Sequence, residues 1–157
     1  MSENRTILVT GVAGYWGARV AARLAREAGF HLLGLDREPP PKEIEGLDFI
    51  QADVRNPLLV ELLETEQVNT VCHLAFVETA QPNEPAFDLN VMGTTKVLGA
   101  CAEAGVRKAV LMSSTAVYGA RPGNAAFLTE EHALRGSRRS GTTRDLLEIE
   151  TFCRDFC

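Results

Sequence analysis

The stretch Thr6-Ile-Leu-Val-Thr10, followed at once by Gly11-Val-Ala-Gly14-Tyr-Trp-Gly17, decides the fold class. A short apolar run that stops at a glycine is typical of a buried parallel strand. A helix is predicted over residues 15–28, because apolar side chains recur there at four-residue spacing and Gly29 ends the pattern. The stretch therefore predicts a strand, a glycine-rich turn and a helix in succession.

The alternation of strand and helix continues along the chain. Apolar runs predict four further strands at 30–35, 47–52, 70–75 and 108–113, and helices after Asn56-Pro57 and over 84–104 and 142–156. Asn56 is expected to cap the first of these helices, with Pro57 as its first residue. The apolar face of that helix is predicted to consist of Leu58, Leu59, Leu62 and Leu63. This order predicts an α/β fold, a Rossmann-type doubly wound parallel sheet of about five strands with helices on both faces, in one domain over residues 1–157.

The glycine spacing predicts a phosphate-binding turn. Gly11 would permit the tight turn, Gly14 would let the backbone approach a pyrophosphate, and Gly17 would let the helix pack closely on the strand. Asp36 ends the next predicted strand, where a carboxylate accepts hydrogen bonds from ribose hydroxyls and repels a 2′-phosphate. The sequence therefore predicts a dinucleotide site that prefers NAD over NADP, although Arg37 would partly compensate for the repulsion.

Composition excludes several other classes of protein. The net charge of −5 argues against a nucleic-acid-coating or anionic-membrane surface. No apolar run approaches ~18 residues, and the chain starts with a polar segment rather than a signal peptide, so a cytoplasmic protein without a membrane span is expected. The cysteines are too few and too irregularly spaced for a metal site or a disulfide framework, and reduced thiols are expected at Cys72, Cys101, Cys153 and Cys157.

A set of short motifs carries a resemblance to a known family. In order, they are the glycine loop of residues 11–17, Asp36, Asp53-Val54, His73-Leu-Ala-Phe76, Asn90-Val-Met-Gly93-Thr94 and Ser113-Ser-Thr-Ala-Val-Tyr-Gly119. The chain resembles the extended short-chain dehydrogenases/reductases, the NAD-dependent epimerases and dehydratases that act mostly on nucleotide sugars. The resemblance implies NAD as cofactor and a nucleotide sugar as substrate.

The resemblance also implies roles for individual residues. Asn90 would brace the active site, Ser114 would be the catalytic residue that bonds a substrate hydroxyl or carbonyl, and Phe76 stands where a small residue is usual. The cofactor-binding residues carried over are Gly11, Gly14, Tyr15, Trp16, Gly17, Asp36, Arg37, Asp53, Val54, Leu74, Ala75, Phe76, Asn90 and Ser113. No metal is implied.

The chain departs from the family at its catalytic base. Members use the Tyr of a Tyr-x-x-x-Lys motif, whose phenol pKa of ~10 is lowered by the lysine and the cofactor. Both tyrosines here, Tyr15 and Tyr118, belong to earlier motifs, and no lysine follows Lys108. The dehydratase variant also needs an Asp-Glu pair just after the catalytic Ser/Thr, which this chain lacks. Ordinary dehydratase or epimerase chemistry is therefore disfavoured.

Two registers of the missing motif stay open. The first puts Thr142 at the tyrosine position and Leu146 at the lysine position, and a shift by two gives Ser140 and Arg144. Neither register restores the pair, and a threonine hydroxyl is far too weak an acid to replace the phenol without a separate base.

The chain also stops within its last predicted helix, before the substrate-binding lobe of the family. A fragment of a longer enzyme and a short natural domain are both compatible with this length. Three hypotheses follow: the cofactor half of an epimerase/dehydratase-like enzyme with lost or unusual activity, a non-catalytic NAD-sensing domain, or an interaction domain with an empty groove. A homodimer is expected through the helices at 84–104 and 142–156, unless their apolar stripes are buried against the chain's own sheet.

Overall fold

A computed structural model describes residues 5–156. In chain order, its elements are β1 (Arg5–Thr10), α1 (Tyr15–Leu24), β2 (Phe30–Asp36), β3 (Leu47–Gln51), α2 (Leu59–Thr65), β4 (Val68–His73), α3 (Glu84–Phe87), a π-helical turn (Asp88–Met92), α4 (Gly93–Glu103), β5 (Lys108–Leu111), a 3-10 turn (Thr115–Tyr118) and α5 (Gly141–Phe156). The predicted alternation of strands and helices is confirmed.

The five strands form one parallel sheet in the order β3-β2-β1-β4-β5. The chain passes from β1 through β2 to β3 at one edge of the sheet. It then returns to β4 beside β1 and continues to β5 at the other edge. Right-handed crossovers then place α1 on one face and α2 and α4 on the other. Strand order reverses between β1 and β4, whose carboxyl ends lie side by side because Thr10 pairs with His73. Ligands of such sheets bind at this reversal point.

A core of apolar side chains joins α1 to the sheet. Ile7, Val9 and Leu32 of the strands pack with Val12 and Ala21, all buried. Burying a side chain of this size contributes roughly 1.5–3 kcal/mol relative to exposure, so this cluster fixes α1, and with it the glycine loop, against β1.

The described chain divides into two compact units. The first comprises residues 5–76 and 92–112 and holds the whole sheet with α1, α2 and α4. The second comprises residues 77–91 and 113–156 and holds α3, the 3-10 turn and α5.

Helix α1 is shorter than predicted, since it ends at Leu24 and not at residue 28. The amides of Arg26 and Glu27 bond carbonyls three residues back instead of four, which tightens the chain into turns. Gly29 follows with φ +89°, a conformation that suits a residue without a Cβ.

The start of α2 also differs from the prediction. Helix geometry begins at Leu59, and Leu58 rather than Asn56 is the N-cap. Instead, the Asn56 side-chain oxygen accepts a hydrogen bond from the Leu58 amide at 2.9 Å. This bond closes a local turn that competes with helix formation. Leu59 and Leu63 are buried as predicted, whereas Leu58 is 63% exposed and does not belong to the inner face.

Smaller differences concern strand ends and the long helix. Strand β4 lies two residues earlier than predicted, because Val68 pairs with Thr6. Strands β3 and β5 end at Gln51 and Leu111, one and two residues early. The helix predicted over 84–104 is interrupted by the π-helical turn, and Gly105 terminates it with φ +68°. Among residues 5–156, no helix combines the length and apolar character needed to cross a membrane.

Candidate functional site

The glycine loop of the first unit is closely packed against the end of β4. Gly11 has φ +80°, and a Cβ atom there would lie 2.5 Å from the Ala75 nitrogen. A Cβ atom at Gly17 would overlap the carbonyl oxygen of Gly11. The Gly14 amide donates to the same Gly11 carbonyl at 2.9 Å. Side chains at Gly11 and Gly17 would therefore meet backbone, which explains the glycine spacing sterically.

Helix α1 begins directly after this loop. Its N-cap is Gly14, and no side-chain hydrogen bond caps the helix. Tyr15 and Trp16 follow, 67% and 50% exposed, with their rings edge to face at 5.0 Å and Arg19 over the Tyr15 ring. A helix start with backbone amides and the positive end of the helix dipole favours a negatively charged group.

Asp36 lies beside the loop at the end of β2. Its Oδ2 accepts the backbone amide of Ala13 at 2.9 Å, and its Oδ1 accepts the amide of Arg37 at 2.7 Å. Charge-assisted bonds to backbone amides fix the orientation of a carboxylate. The side chain is therefore held next to the glycine loop by the loop itself, a contact that sequence spacing does not reveal.

Asp53 follows β3 and forms an ion pair. Arg55 donates to it from Nε at 2.8 Å and from Nη2 at 2.6 Å, and Arg37 Nε lies 4.0 Å away. The Arg55 side-chain hydrogen bond lowers the pKa of Asp53 to about 2, against a smaller opposing effect of burial. Sequence reasoning missed Arg55, although a carboxylate and an arginine two residues apart in a turn were visible.

An apolar cavity of about 220 Å³ lies next to Asp53 in the same unit. Val54 is buried, and the cavity's walls come from the ends of β2 and β3 and from α2. The lining residues are Leu35, Ile50, Ala52, Asp53, Asn56, Leu58, Leu59 and Leu62.

The segment after β4 holds Leu74, Ala75 and Phe76, all half-buried. It is preceded by His73, which is 5% exposed and lies between two threonine hydroxyls. Nδ1 is 2.7 Å from the Thr10 hydroxyl and Nε2 is 3.0 Å from that of Thr94. Burial lowers the pKa of His73 to about 4, so the imidazole is neutral near pH 7. The sequence placed this histidine in the motif of residues 73–76 without a role of its own.

Ser113 and Ser114 belong to the second unit, and both are exposed. Ser114 is the N-cap of the 3-10 turn, and its Oγ accepts the Ala116 amide at 3.2 Å. That bond uses an oxygen lone pair, so the hydroxyl proton is available to a carbonyl or hydroxyl of a bound molecule.

Asn90 lies fully buried in the π-helical turn of the second unit. Its side chain accepts the Val77 amide at 2.8 Å and donates to the Val77 carbonyl at 2.9 Å. It also donates to Oδ2 of Asp145, a fully buried carboxylate on α5, at 2.8 Å. Arg144 Nε donates to Oδ1 of Asp145 at 2.9 Å, and its guanidinium lies over the Phe87 ring at 4.7 Å. Sequence analysis missed Asp145, because its partner Asn90 is 55 residues away.

Both registers of the missing base motif are at the start of α5. The Thr142 hydroxyl accepts the Thr79 amide at 2.8 Å and donates to the Thr79 carbonyl at 3.2 Å. Leu146 is 4% exposed. In the other register, Ser140 Oγ accepts the Thr143 amide at 3.4 Å, and Arg144 is paired with Asp145.

The thiols and acidic groups have no metal-site geometry. Within residues 5–156, no three His, Cys, Asp or Glu side chains are clustered so as to hold a metal ion. Burial raises the pKa of Cys101 to about 11 and also raises that of Cys72, which keeps both thiols protonated near neutrality. Cys157 lies outside the described residues.

Comparison with known proteins points to one family. The family model for the NAD dependent epimerase/dehydratase family matches residues 7–140. UDP-glucose 4-epimerase 1 of Oryza sativa subsp. japonica is 33% identical over 96% of this chain and 46% of its own length. The uncharacterized protein Rv0501 of Mycobacterium tuberculosis is 31% identical over 96% of this chain and 42% of its own.

A solved structure agrees with these relatives. The UDP-glucose-4-epimerase of Stenotrophomonas maltophila, crystallised with bound NAD and formylated UDP-arabinopyranose, matches with a TM-score of 0.81 at 25% identity. The match covers 97% of this chain and 48% of that one. The chain thus spans about half the length of these relatives. By the family match over most of its length, the chain belongs to the NAD-dependent epimerase/dehydratase family.

Proposed function

We propose that the chain binds NAD at the carboxyl ends of β1, β2 and β4 in its first unit. The observation that carries this proposal is the clamp between Asp36 and the Ala13 amide, which fixes a carboxylate beside the glycine loop. The residues fit the cofactor: side chains are sterically excluded at Gly11 and Gly17 of the loop, and an uncapped helix start adjoins it. A pyrophosphate suits that helix start, and a ribose diol suits the carboxylate.

The cofactor-binding residues carried over from sequence remain proposed within this picture. Those of the first unit are Gly11, Gly14, Tyr15, Trp16, Gly17, Asp36, Arg37, Asp53, Val54, Leu74, Ala75 and Phe76. Asn90 and Ser113 belong to the second unit. For Asn90, the bonds to Val77 and Asp145 support a bracing role over a direct contact.

We further propose that the substrate class is a nucleotide sugar. The support is the relatives' names, since the rice relative is a UDP-glucose 4-epimerase and the bacterial structure holds a UDP-sugar. The bound cofactor would supply hydride transfer at a sugar carbon. Ser114 would donate a hydrogen bond to the reacting oxygen, because its exposed hydroxyl keeps its proton free.

Proton abstraction is the step for which neither register of the missing motif offers a group. The Thr142 hydroxyl is bonded to Thr79 in both directions, and Leu146 is a buried apolar side chain. In the other register, Ser140 Oγ accepts the Thr143 amide, and Arg144 is held by Asp145. We therefore infer that the chain alone binds NAD without epimerising or dehydrating sugars at ordinary rates. This absence of a base favours the second candidate function, an NAD-sensing domain.

A homodimer through the helices at 84–104 and 142–156 remains a proposal. Val91 and Leu98, two residues of the predicted stripe, are buried within the chain itself. Met92 and Phe156 of these helices are each 44% exposed and are apolar side chains that each helix still offers to a second copy. Light scattering at micromolar concentration tests this, with a dimer mass expected and a monomer mass contradicting it.

NAD binding is testable through Trp16, the single tryptophan of the chain. Because Trp16 adjoins the glycine loop, titration with NAD is expected to change its fluorescence saturably. Gly14→Ala should weaken NAD binding at least several-fold, since the new methyl group lies where the pyrophosphate would approach the backbone. Gly99→Ala, on α4 with open space around the new Cβ, is the matched control and should bind as the unaltered protein does. An unaltered protein that does not bind NAD would contradict the proposal.

A further inference from the structure

The His73 hydrogen bonds connect three elements of the first unit. His73 ends β4, Thr10 ends β1, and Thr94 lies in the first turn of α4. Thr10 and Thr94 are 0% and 2% exposed, so water does not compete for their hydroxyls. Buried groups of this kind need complete hydrogen bonding, and their proton positions follow from counting donors and acceptors.

The count assigns the imidazole tautomer. Thr10 Oγ1 accepts the Ala75 amide at 3.4 Å and shares the Leu74 amide, 3.3 Å away, with the Thr10 backbone carbonyl, which is 3.2 Å from it. Both amides are donors, so they take no proton from the hydroxyl. Its single proton must then be donated to Nδ1 of His73, 2.7 Å away. Because Nδ1 accepts, the neutral ring carries its proton on Nε2 and donates it to the Thr94 hydroxyl.

The same hydroxyl holds the backbone that meets the glycine loop. Ala75, whose amide Thr10 accepts, is the residue whose nitrogen lies within 2.5 Å of a Cβ built on Gly11. A rotation of the Thr10 hydroxyl would release that amide at the junction between β4 and the loop. The orientation of this junction therefore depends on whether Nδ1 of His73 accepts the proton of the Thr10 hydroxyl.

We propose that His73 is a positioning residue: as the Nε2–H tautomer, it orients the Thr10 hydroxyl and so fixes the Leu74–Ala75 backbone against the glycine loop for dinucleotide binding. This inference rests on the proposed function, because it concerns the affinity of the same crevice for NAD. His73 touches neither cofactor nor substrate in this role. It acts through Thr10.

Two variants of His73 distinguish a positioning role in NAD binding from a role in the stability of the fold alone. In His73→Asn, the amide oxygen reaches the place of Nδ1 and can still accept from Thr10. In His73→Gln, the amide reaches the place of Nε2 and serves Thr94 instead. Thermal unfolding should show similar stability losses for the two variants. The Kd for NAD should stay within about threefold of the unaltered protein for His73→Asn and rise about tenfold or more for His73→Gln.

A spectroscopic readout tests the tautomer without any cofactor. Long-range nitrogen–proton correlation spectra of the imidazole should show Nε2 protonated and Nδ1 unprotonated in the unaltered protein. A proton on Nδ1 would overturn the inference. If the unaltered protein binds NAD and the two variants lose the same affinity, the inference about His73 is overturned, while the proposed function stands. An unaltered protein that does not bind NAD would overturn the proposed function and this inference with it.

Discussion

The two units differ in what their polar groups bond to. In the first unit, Asp36 is oriented by backbone amides, and the start of α1 has no side-chain cap. In the second unit, Thr142 and Arg144, one from each register of the missing motif, bond Thr79 and Asp145. This difference supports the proposal that the chain keeps the framework of cofactor binding, while the residues aligned with the missing pair serve structure.

Substitution of Gly17 is expected to have the largest effect. Gly17→Ala puts a Cβ atom into the Gly11 carbonyl, so the loop or α1 must move. We expect a loss of about 5 kcal/mol or more in the free energy of unfolding, beyond ordinary overpacking, because the new Cβ atom meets backbone and not a flexible side chain. Chemical denaturation measures it. Gly99→Ala is the control, and an equally small effect of both changes would contradict the packing described for the loop.

The buried ion pair of the second unit should come next. Asp145→Asn leaves the Arg144 charge without its carboxylate, and removing one partner of a buried pair costs about 3–5 kcal/mol. Glu148→Gln on the same helix removes a carboxylate from a more exposed pair with Arg138 and should cost no more than about 1 kcal/mol. Urea unfolding of both variants measures the difference. Similar losses would show that Asp145 does not hold Arg144 in solution.

Acidification should destabilise the first unit through His73. Its folded pKa of about 4 lies below the ordinary value of 6.5, so the fold favours the neutral ring. The stabilisation is complete above pH 6.5 and is lost as pH falls towards 4, by up to about 3 kcal/mol. His73→Asn should flatten the slope of stability against pH in this window, whereas His31→Asn, on a more exposed histidine, should retain it. An unchanged slope in His73→Asn would contradict the burial effect.

Asp36 should produce the smallest effect, measured in cofactor binding, where NAD should bind more weakly and the preference over NADP should shrink. Asp36→Asn removes the charge that repels a 2′-phosphate, so the preference for NAD over NADP should shrink by about 1.5–3 kcal/mol. Asp48→Asn, an exposed carboxylate on β3, is the matched control and should leave the preference unchanged. Fluorescence titration with each cofactor measures both variants. Equal affinities of the unaltered protein for NAD and NADP would mean that Arg37 dominates.

The sequence predicted the parts of the fold that depend on local patterns. The strand, glycine loop and helix of the first unit follow from apolar runs and glycine spacing, and they appear as expected. The ends of α1 and α2 could not be predicted, because weak local bonds such as that of Asn56 to the Leu58 amide decide between turn and helix.

The contacts of the candidate site were less predictable than its residues. Asp36 was recognised from its position, but its bond to Ala13 depends on how the loop folds back. His73 was quoted as part of a motif, but its hydrogen bonds were not predicted, because its partners Thr10 and Thr94 are 63 and 21 residues away in sequence. Such networks are brought together only by the sheet and the helices that cross it.

The central proposal is that the chain binds NAD but has no base at either register of the missing motif. The most direct measurement incubates the purified chain with NAD and UDP-glucose, follows Trp16 fluorescence for binding, and follows UDP-galactose formation by chromatography. We predict saturable NAD binding and no epimerisation at rates ordinary for the family, since general acid–base catalysis is worth 10²–10⁴-fold. Turnover at such rates would contradict the claim and mean that another residue serves as the base. Absence of NAD binding would contradict the first part of the proposal, that the chain binds the cofactor.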